Sequence, residues 1–198
     1  MNFVFISPHF PTNYWKFCAE LKNNGVNVLG IGDAPYDSLT DELKGSLTEY
    51  YKVNNMENYD EMMRAVGFFT FKYGKIDWIE SNNEYWLEQD ARLRTDFNVT
   101  TGPQSKDMDV VKCKSKMKAN YKKAGVPAAK YHLVSTYEEG KAFIAEVGYP
   151  VIVKPDNGVG ASNTYKLKND ADFDAFYADL PPVQYIMEEF VNGEICSY

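Results

Sequence analysis

A strand, a helix and a second strand follow one another within the first 31 residues, and this order most constrains the fold. Residues 2–7 and 26–31 are short apolar runs, and a helical pattern lies between them. Thr12 and Asn13 are candidate N-caps, and Gly25 ends the predicted helix. A strand–helix–strand unit of about 30 residues has parallel strands. The chain is therefore predicted to begin with an open parallel α/β sheet.

The alternation continues as far as residue 104. Further strands are predicted over 50–53 and 75–80, with helices over about 57–72 and 83–96. Thr101-Gly102-Pro103 is typical of a turn. We predict a first domain over residues 1–104 and a second over 105–198.

The second half is predicted to be a smaller α+β unit. A helix over about 106–124 ends at Gly125, and Ser135 to Glu138 fits a capping box at the start of the next helix. Asn169 is a candidate cap of the last helix. The predicted strands cover residues 131–134, 151–154, 163–167 and 184–188.

Composition excludes several classes of protein. The formal net charge is −7, which argues against a general nucleic-acid binder. No apolar run approaches the ~20 residues that a membrane span requires. Cys18, Cys113 and Cys196 are an odd set without close pairing. They favour a reducing cytoplasm over a disulfide framework.

Basic residues concentrate in one segment. Six of the 21 Lys and Arg residues lie within Lys112–Lys123. A run of lysines is usually a solvated helix face. The alternative is an anion site, and two later features favour it. One is Val151–Pro155, a strand that ends in Lys154, with the loop 156–162 after it; the other is the segment 185–194.

Together these features can meet the needs of ATP. Phosphates require fixed cations and backbone N–H groups, and small residues let the backbone approach them closely. A lysine at the end of a buried strand is costly unless an anion neutralises it. Adenine needs backbone hydrogen bonds between apolar walls, which an extended segment such as 186–191 can supply.

The order of these motifs resembles the ATP-grasp superfamily. It consists of the lysine helix, Ala124-Gly125-Val126-Pro127, the strand ending in Lys154, the glycine loop and Met187–Glu194. The first half is similar to the α/β domain that precedes the ATP-grasp fold in biotin carboxylases, carbamoyl-phosphate synthases and carboxylate–amine ligases. The resemblance is specific only over residues 112–194.

The resemblance implies roles for individual residues. Lys114 and Lys154 resemble the two phosphate-contacting lysines, although Cys113 replaces the Asp that often precedes the first. Glu194 resembles the carboxylate that binds ribose. The loop over the phosphates is represented by Gly158, Gly160, Ala161 and Ser162, and the hinge that binds adenine by Glu188, Glu189 and Val191. Taken singly, each has a structural explanation: a snorkelling lysine, a hairpin turn or a solvated strand end.

Two residues of the first half are substrate candidates. His9 follows the first strand, where α/β sheets bind ligands, but a loop histidine usually has no such role. Glu84 follows a later strand at the same sheet edge, and in related enzymes an Asn-Glu there faces the substrate. A helix N-terminus would favour the same residues.

The resemblance implies an ATP-dependent ligase that activates a carboxylate or bicarbonate as an acyl phosphate for attack by an amine or another nucleophile. Mg²⁺ ligands are expected beyond residue 198, so the chain is predicted to be an inactive fragment. Small-molecule substrates and a homodimer are implied as well. A non-catalytic nucleotide-binding module is the alternative. A nicotinamide-dependent oxidoreductase is disfavoured because the loop 7–12 contains no glycine.

Overall fold

The computed structural model describes residues 1–158, 163–194 and 196. It divides the chain into two units, Met1–Met108 and Asp109–Tyr198. The boundary predicted from the sequence, between residues 104 and 105, lies close to this division. None of the described helices is both long and apolar enough to cross a membrane.

The first unit contains a parallel sheet, as the strand–helix–strand order predicts. Its strand order is β3-β2-β1-β4, and β1 pairs in parallel with both β2 and β4. In register, Val4 lies opposite Leu29 on one side and Ile79 on the other. The strands are β1 (Asn2–Ile6), β2 (Asn27–Gly32), β3 (Glu49–Lys52) and β4 (Trp78–Glu80).

Strand β1 is buried on both faces because helices cover both sides of the sheet. Val4 and Ile6 pack into one core cluster, and Phe3 and Phe5 pack into another. A strand that is covered twice needs a continuous apolar run, which explains residues 2–6. The helices of this unit are α1 (Trp15–Asn23), α2 (Asp41–Ser46), α3 (Tyr59–Tyr73) and α4 (Leu87–Asp96).

The second unit is built around an antiparallel sheet of order β5-β8-β6-β7. Its strands are β5 (Tyr131–Leu133), β6 (Val151–Pro155), β7 (Tyr165–Leu167) and β8 (Tyr185–Glu189). The remaining helices are α5 (Met108–Lys112), α6 (Lys114–Lys123), α7 (Tyr137–Val147) and α8 (Asp170–Ala178). The predicted fold class, a parallel α/β sheet followed by a small α+β lobe, is confirmed.

One face of this second sheet carries the core. Val151 and Val153 are fully buried and pack with Phe173 and Phe176 of α8. Because side chains alternate along a strand, Ile152 and Lys154 lie on the opposite face.

Several local boundaries differ from the prediction, most clearly in three helices. Helix α1 begins at Trp15, after Tyr14 rather than after Thr12 or Asn13. Thr136 caps α7 by accepting from the Glu139 N–H, so the cap lies one residue after the predicted Ser135. The predicted helix over 106–124 is broken at Cys113, which forms an antiparallel bridge with Asn157 and divides α5 from α6.

Candidate functional site

Lys154 lies on the sheet face opposite the core, near the end of β6. In register, Ile152 lies between Lys166 on β7 and Glu188 on β8. Since directly paired residues point to the same side, these two side chains share a face with Lys154. The Lys154 side chain is 27% exposed. The sheet therefore presents a cation next to a carboxylate on the face that the core does not use.

Lys114 is brought to the same strand end from the start of α6. Its Nζ atom donates to the carbonyl oxygens of Pro155 at 2.9 Å and Gly158 at 3.1 Å. Pro155 directly follows Lys154, and Gly158 belongs to the glycine loop. The two lysines predicted to contact phosphates, 40 positions apart in the sequence, thus meet at one loop.

Glu188 joins Lys154 to a third lysine. Its Oε2 atom lies 2.6 Å from the Nζ of Lys154, and its Oε1 atom lies 3.1 Å from the Nζ of Lys118. The sequence predicts a role for the Glu188 backbone at the hinge, but this side-chain pairing is additional. Lys118 lies one helical turn after Lys114, and that spacing is the pattern that could have identified it.

Asp156 anchors the N-terminus of α6 and was missed by the sequence analysis. Its carboxylate accepts from the backbone N–H of Ser115 at 2.8 Å and from the Ser115 hydroxyl at 2.7 Å. Both residues are buried. The first N–H groups of a helix lack partners within the helix, and a carboxylate there also complements the helix dipole. This contact holds Lys114 against the end of β6.

The structure describes only some of the other residues that were predicted to bind the nucleotide. Gly160, Ala161 and Ser162 lie outside the described residues. Glu189 accepts from the Lys130 backbone N–H at 2.7 Å, which ties β8 to the chain before β5. Val191 and Glu194 follow β8 and are exposed.

A fourth lysine lies on the same face as Lys154. The Nζ of Lys166 is 3.5 Å from the centre of the Phe190 ring. A cation held against an aromatic face is attracted by the ring quadrupole. The sequence assigned no role to Lys166. Only the alternation of side chains along paired strands, which places Lys166 on the same face as Lys154, could have indicated one.

His9 lies at the carboxyl edge of the first unit's sheet, as predicted. Its Nε2 atom is 3.2 Å from Oδ1 of Asp33. Burial lowers the pKa of His9, although the neighbouring Asp33 carboxylate acts in the opposite direction. The ring packs on Gly32, where an added Cβ would lie 2.8 Å from Nδ1.

Glu84 is exposed and begins a short 3-10 helix, Glu84–Trp86, that follows the loop after β4 at the same edge of the sheet. The Tyr14 hydroxyl donates to the Asn82 carbonyl oxygen at 2.5 Å and so links the chain after β1 to this loop. Below the loop, the Asp90 carboxylate accepts from the Ser81 hydroxyl at 2.6 Å. The structure thus places the two substrate candidates after neighbouring strands, His9 after β1 and Glu84 after β4.

No group of three or more His, Cys, Asp or Glu side chains that could hold a metal ion is found among residues 1–158, 163–194 and 196. The prediction of Mg²⁺ therefore rests on the resemblance.

Comparison with known proteins adds an independent line of evidence. Residues 112–180 match the family model of the carbamoyl-phosphate synthase L chain, ATP binding domain. This segment contains Lys114, Lys118 and Lys154, and it ends before Glu188.

Curated relatives are ligases. The chain is 30% identical to an L-arginine-specific L-amino acid ligase of Bacillus subtilis, over 59% of this chain and 28% of that protein. It is 26% identical to an alanine–anticapsin ligase of the same organism, over 70% of this chain and 31% of the relative. The chain thus spans less than a third of the length of either ligase.

Solved structures share the fold across both units. An L-amino acid ligase from Bacillus licheniformis aligns with a TM-score of 0.65 at 18% identity, over 97% of this chain and 44% of that one. The biotin carboxylase domain of a 2-oxoglutarate carboxylase from Hydrogenobacter thermophilus, solved as a dimer with MgADP, aligns with a TM-score of 0.72 at 20% identity. That alignment covers 96% of this chain and 44% of the domain. The resemblance stated from the sequence is confirmed.

Proposed function

We propose that this chain, which has the fold of ATP-grasp enzymes, is the nucleotide-binding part of an ATP-dependent ligase. The observation that carries the proposal is the convergence of Lys114 and Lys154. The Lys114 ammonium contacts the carbonyl oxygen of the residue that follows Lys154, at the opening of the glycine loop. Two cations fixed beside a loop of small residues suit a triphosphate.

The reaction that we propose is activation of a carboxylate. The substrate carboxylate attacks the γ-phosphorus of ATP, ADP leaves, and an amine then displaces phosphate from the acyl phosphate. Lys114 and Lys154 would neutralise charge on the phosphate oxygens as the bond to ADP breaks.

The substrate class that we favour is the amino acids. Support comes from two relatives, which are ligases for L-arginine and for alanine with anticapsin. Our candidates for contacts with the substrate are His9 and Glu84, which lie at neighbouring strand ends of the first unit. We also propose a cytoplasmic location, supported by three cysteines that form no disulfide, and a homodimer, supported by the dimeric biotin carboxylase neighbour.

Calorimetric titration with ATP and ADP tests the nucleotide site. We expect the wild type to bind and Lys154→Ala to bind at least about tenfold more weakly, a loss of about 1.4 kcal/mol. Lys168→Ala, which removes an exposed lysine after β7, serves as the matched control. Unchanged affinity in a folded Lys154→Ala variant would overturn the proposal.

Turnover is tested separately. Release of ADP on addition of single amino acids, measured by a coupled assay, would support the ligase. Nucleotide binding without ADP release for any acid, measured on the full-length protein, would favour the non-catalytic nucleotide-binding module.

A further inference from the structure

Glu188 is a nearly buried carboxylate with a different lysine on each oxygen. Its side chain is 10% exposed, with Lys154 at 2.6 Å and Lys118 at 3.1 Å. Taking a carboxylate out of water is expensive, and removing its only cation is strongly destabilising. Two cations on one carboxylate therefore provide one more positive charge than Glu188 needs.

The two lysines are not held equally. The Nζ of Lys118 also donates to the Ala129 carbonyl oxygen at 3.0 Å, and it lies 5.7 Å from the centre of the Tyr131 ring. Its side chain is 12% exposed, against 27% for Lys154. Lys118 is thus fixed by three groups on two segments, and Lys154 is the more accessible of the pair.

A nucleotide at this face would compete with Glu188 for Lys154. If Lys154 were the only partner, moving its ammonium to a phosphate would leave a buried carboxylate without a cation. With Lys118 in place, Glu188 keeps an ion-pair partner when Lys154 moves to a phosphate. The exchange then breaks one ion pair and leaves no buried carboxylate without a cation.

We propose that Lys118 is a positioning residue of the nucleotide site: it keeps Glu188 paired while Lys154 exchanges the carboxylate for phosphate. The inference rests on the proposed nucleotide-binding function. It assigns Lys118 a role through Glu188 and no contact with the nucleotide itself.

The experiment is a double-mutant cycle on ADP and ATP affinity, measured by calorimetry on the intact chain. Lys118→Met removes the charge and keeps most of the side-chain volume. We expect affinity to fall at least about tenfold, since Lys154 then remains as the one lysine that the described residues place on Glu188. Lys118→Met/Glu188→Gln should restore affinity to within about threefold of wild type, because the amide needs no cation and the substitution keeps the Glu188 backbone, the part assigned to the hinge. Lys122→Met, one turn further along α6 and exposed, is the matched control.

Rescue by Glu188→Gln distinguishes a positioning role of Lys118 from direct contact with the phosphates and from stabilisation of α6. If Lys118 contacted the phosphates, or only stabilised α6, the double variant would stay as weak as Lys118→Met, and the inference would be wrong. Should Lys118→Met not fold, Glu188→Gln alone decides: affinity equal to wild type or higher supports the inference, and a tenfold loss overturns it.

Failure of the proposed function gives a different result. In that case the wild type binds neither ADP nor ATP. If the wild type binds, Lys154→Ala does not, and Lys118→Met binds as well as wild type, only the role of Lys118 is wrong.

Discussion

The backbone N–H of Lys114 donates to the carbonyl oxygen of Asp156 at 3.0 Å, across a sequence separation of 42 residues. The Asp156 carboxylate continues the contact to the next residue of α6, Ser115. The start of the lysine helix and the end of β6 are therefore one hydrogen-bonded assembly. The position of the Lys114 ammonium depends on it.

Asp156→Ala should destabilise the second unit by about 2 kcal/mol, because two buried donors on Ser115 lose their acceptor. It should also weaken nucleotide binding by releasing α6 from β6. Urea denaturation followed by far-UV circular dichroism measures the first effect. All three tryptophans lie in the first unit, so the tryptophan fluorescence transition should stay unchanged.

Asp179→Ala is the control, since Asp179 is exposed after α8. A stability of Asp156→Ala equal to that of this control would show that the buried contact contributes nothing.

Val191→Pro should reduce the preference for ATP over GTP. Val191 is exposed and follows β8, where the resemblance places the hinge that binds adenine. Proline deletes the backbone N–H that we expect to bond a ring nitrogen. Competition between the two nucleotides for binding measures the effect. Val191→Ala keeps the N–H and should keep the preference; equal selectivity in both variants would refute the hinge assignment.

Sequence patterns predicted the features that depend on residues close to one another in the chain, such as strands. The apolar runs of β1 and of Val151–Val153 identify strands because a short apolar run bounded by turn residues is typical of a buried strand. Residues whose role depends on packing between distant elements were missed. Asp156 caps a helix that starts 42 positions earlier, and Lys118 meets Glu188 only after α6 and β8 are in place. Its spacing of four residues from Lys114 places Lys118 on the same helix face, but that spacing does not reveal Glu188 as its partner.

Asp90→Asn should flatten the pH dependence of the first unit's stability. Burial raises the pKa of Asp90 to about 7, although the Ser81 hydrogen bonds act in the opposite direction. The folded protein thus holds the proton more tightly than the unfolded chain, where aspartate titrates near about 3.9. The resulting stabilisation is present below the unfolded value and is lost as the pH rises toward 7. The loss is at most about 1.4 kcal/mol per pH unit.

The test is tryptophan fluorescence in urea at several pH values between 4 and 8. The stability of the wild type relative to Asp90→Asn should fall across this window. Asp37→Asn, at an exposed position, should track the wild type. If the stabilities of the wild type and of Asp90→Asn changed in parallel with pH, the raised pKa of Asp90 would be wrong.

Two glycine-to-alanine substitutions in the first unit should change stability in opposite directions. Gly102 has φ +83°, and an added Cβ would lie 2.7 Å from Nη1 of Arg94, which is 1% exposed and has little room to move. Gly102→Ala should cost about 1–3 kcal/mol. Gly67 lies inside α3 with no heavy atom within 4 Å of an added Cβ, so Gly67→Ala should stabilise by up to about 1 kcal/mol. Urea titrations followed by tryptophan fluorescence report both effects on the same unit. A neutral Gly102→Ala would mean that Arg94 does not pack on this turn, whereas a destabilising Gly67→Ala would mean that the exposed side of α3 is covered.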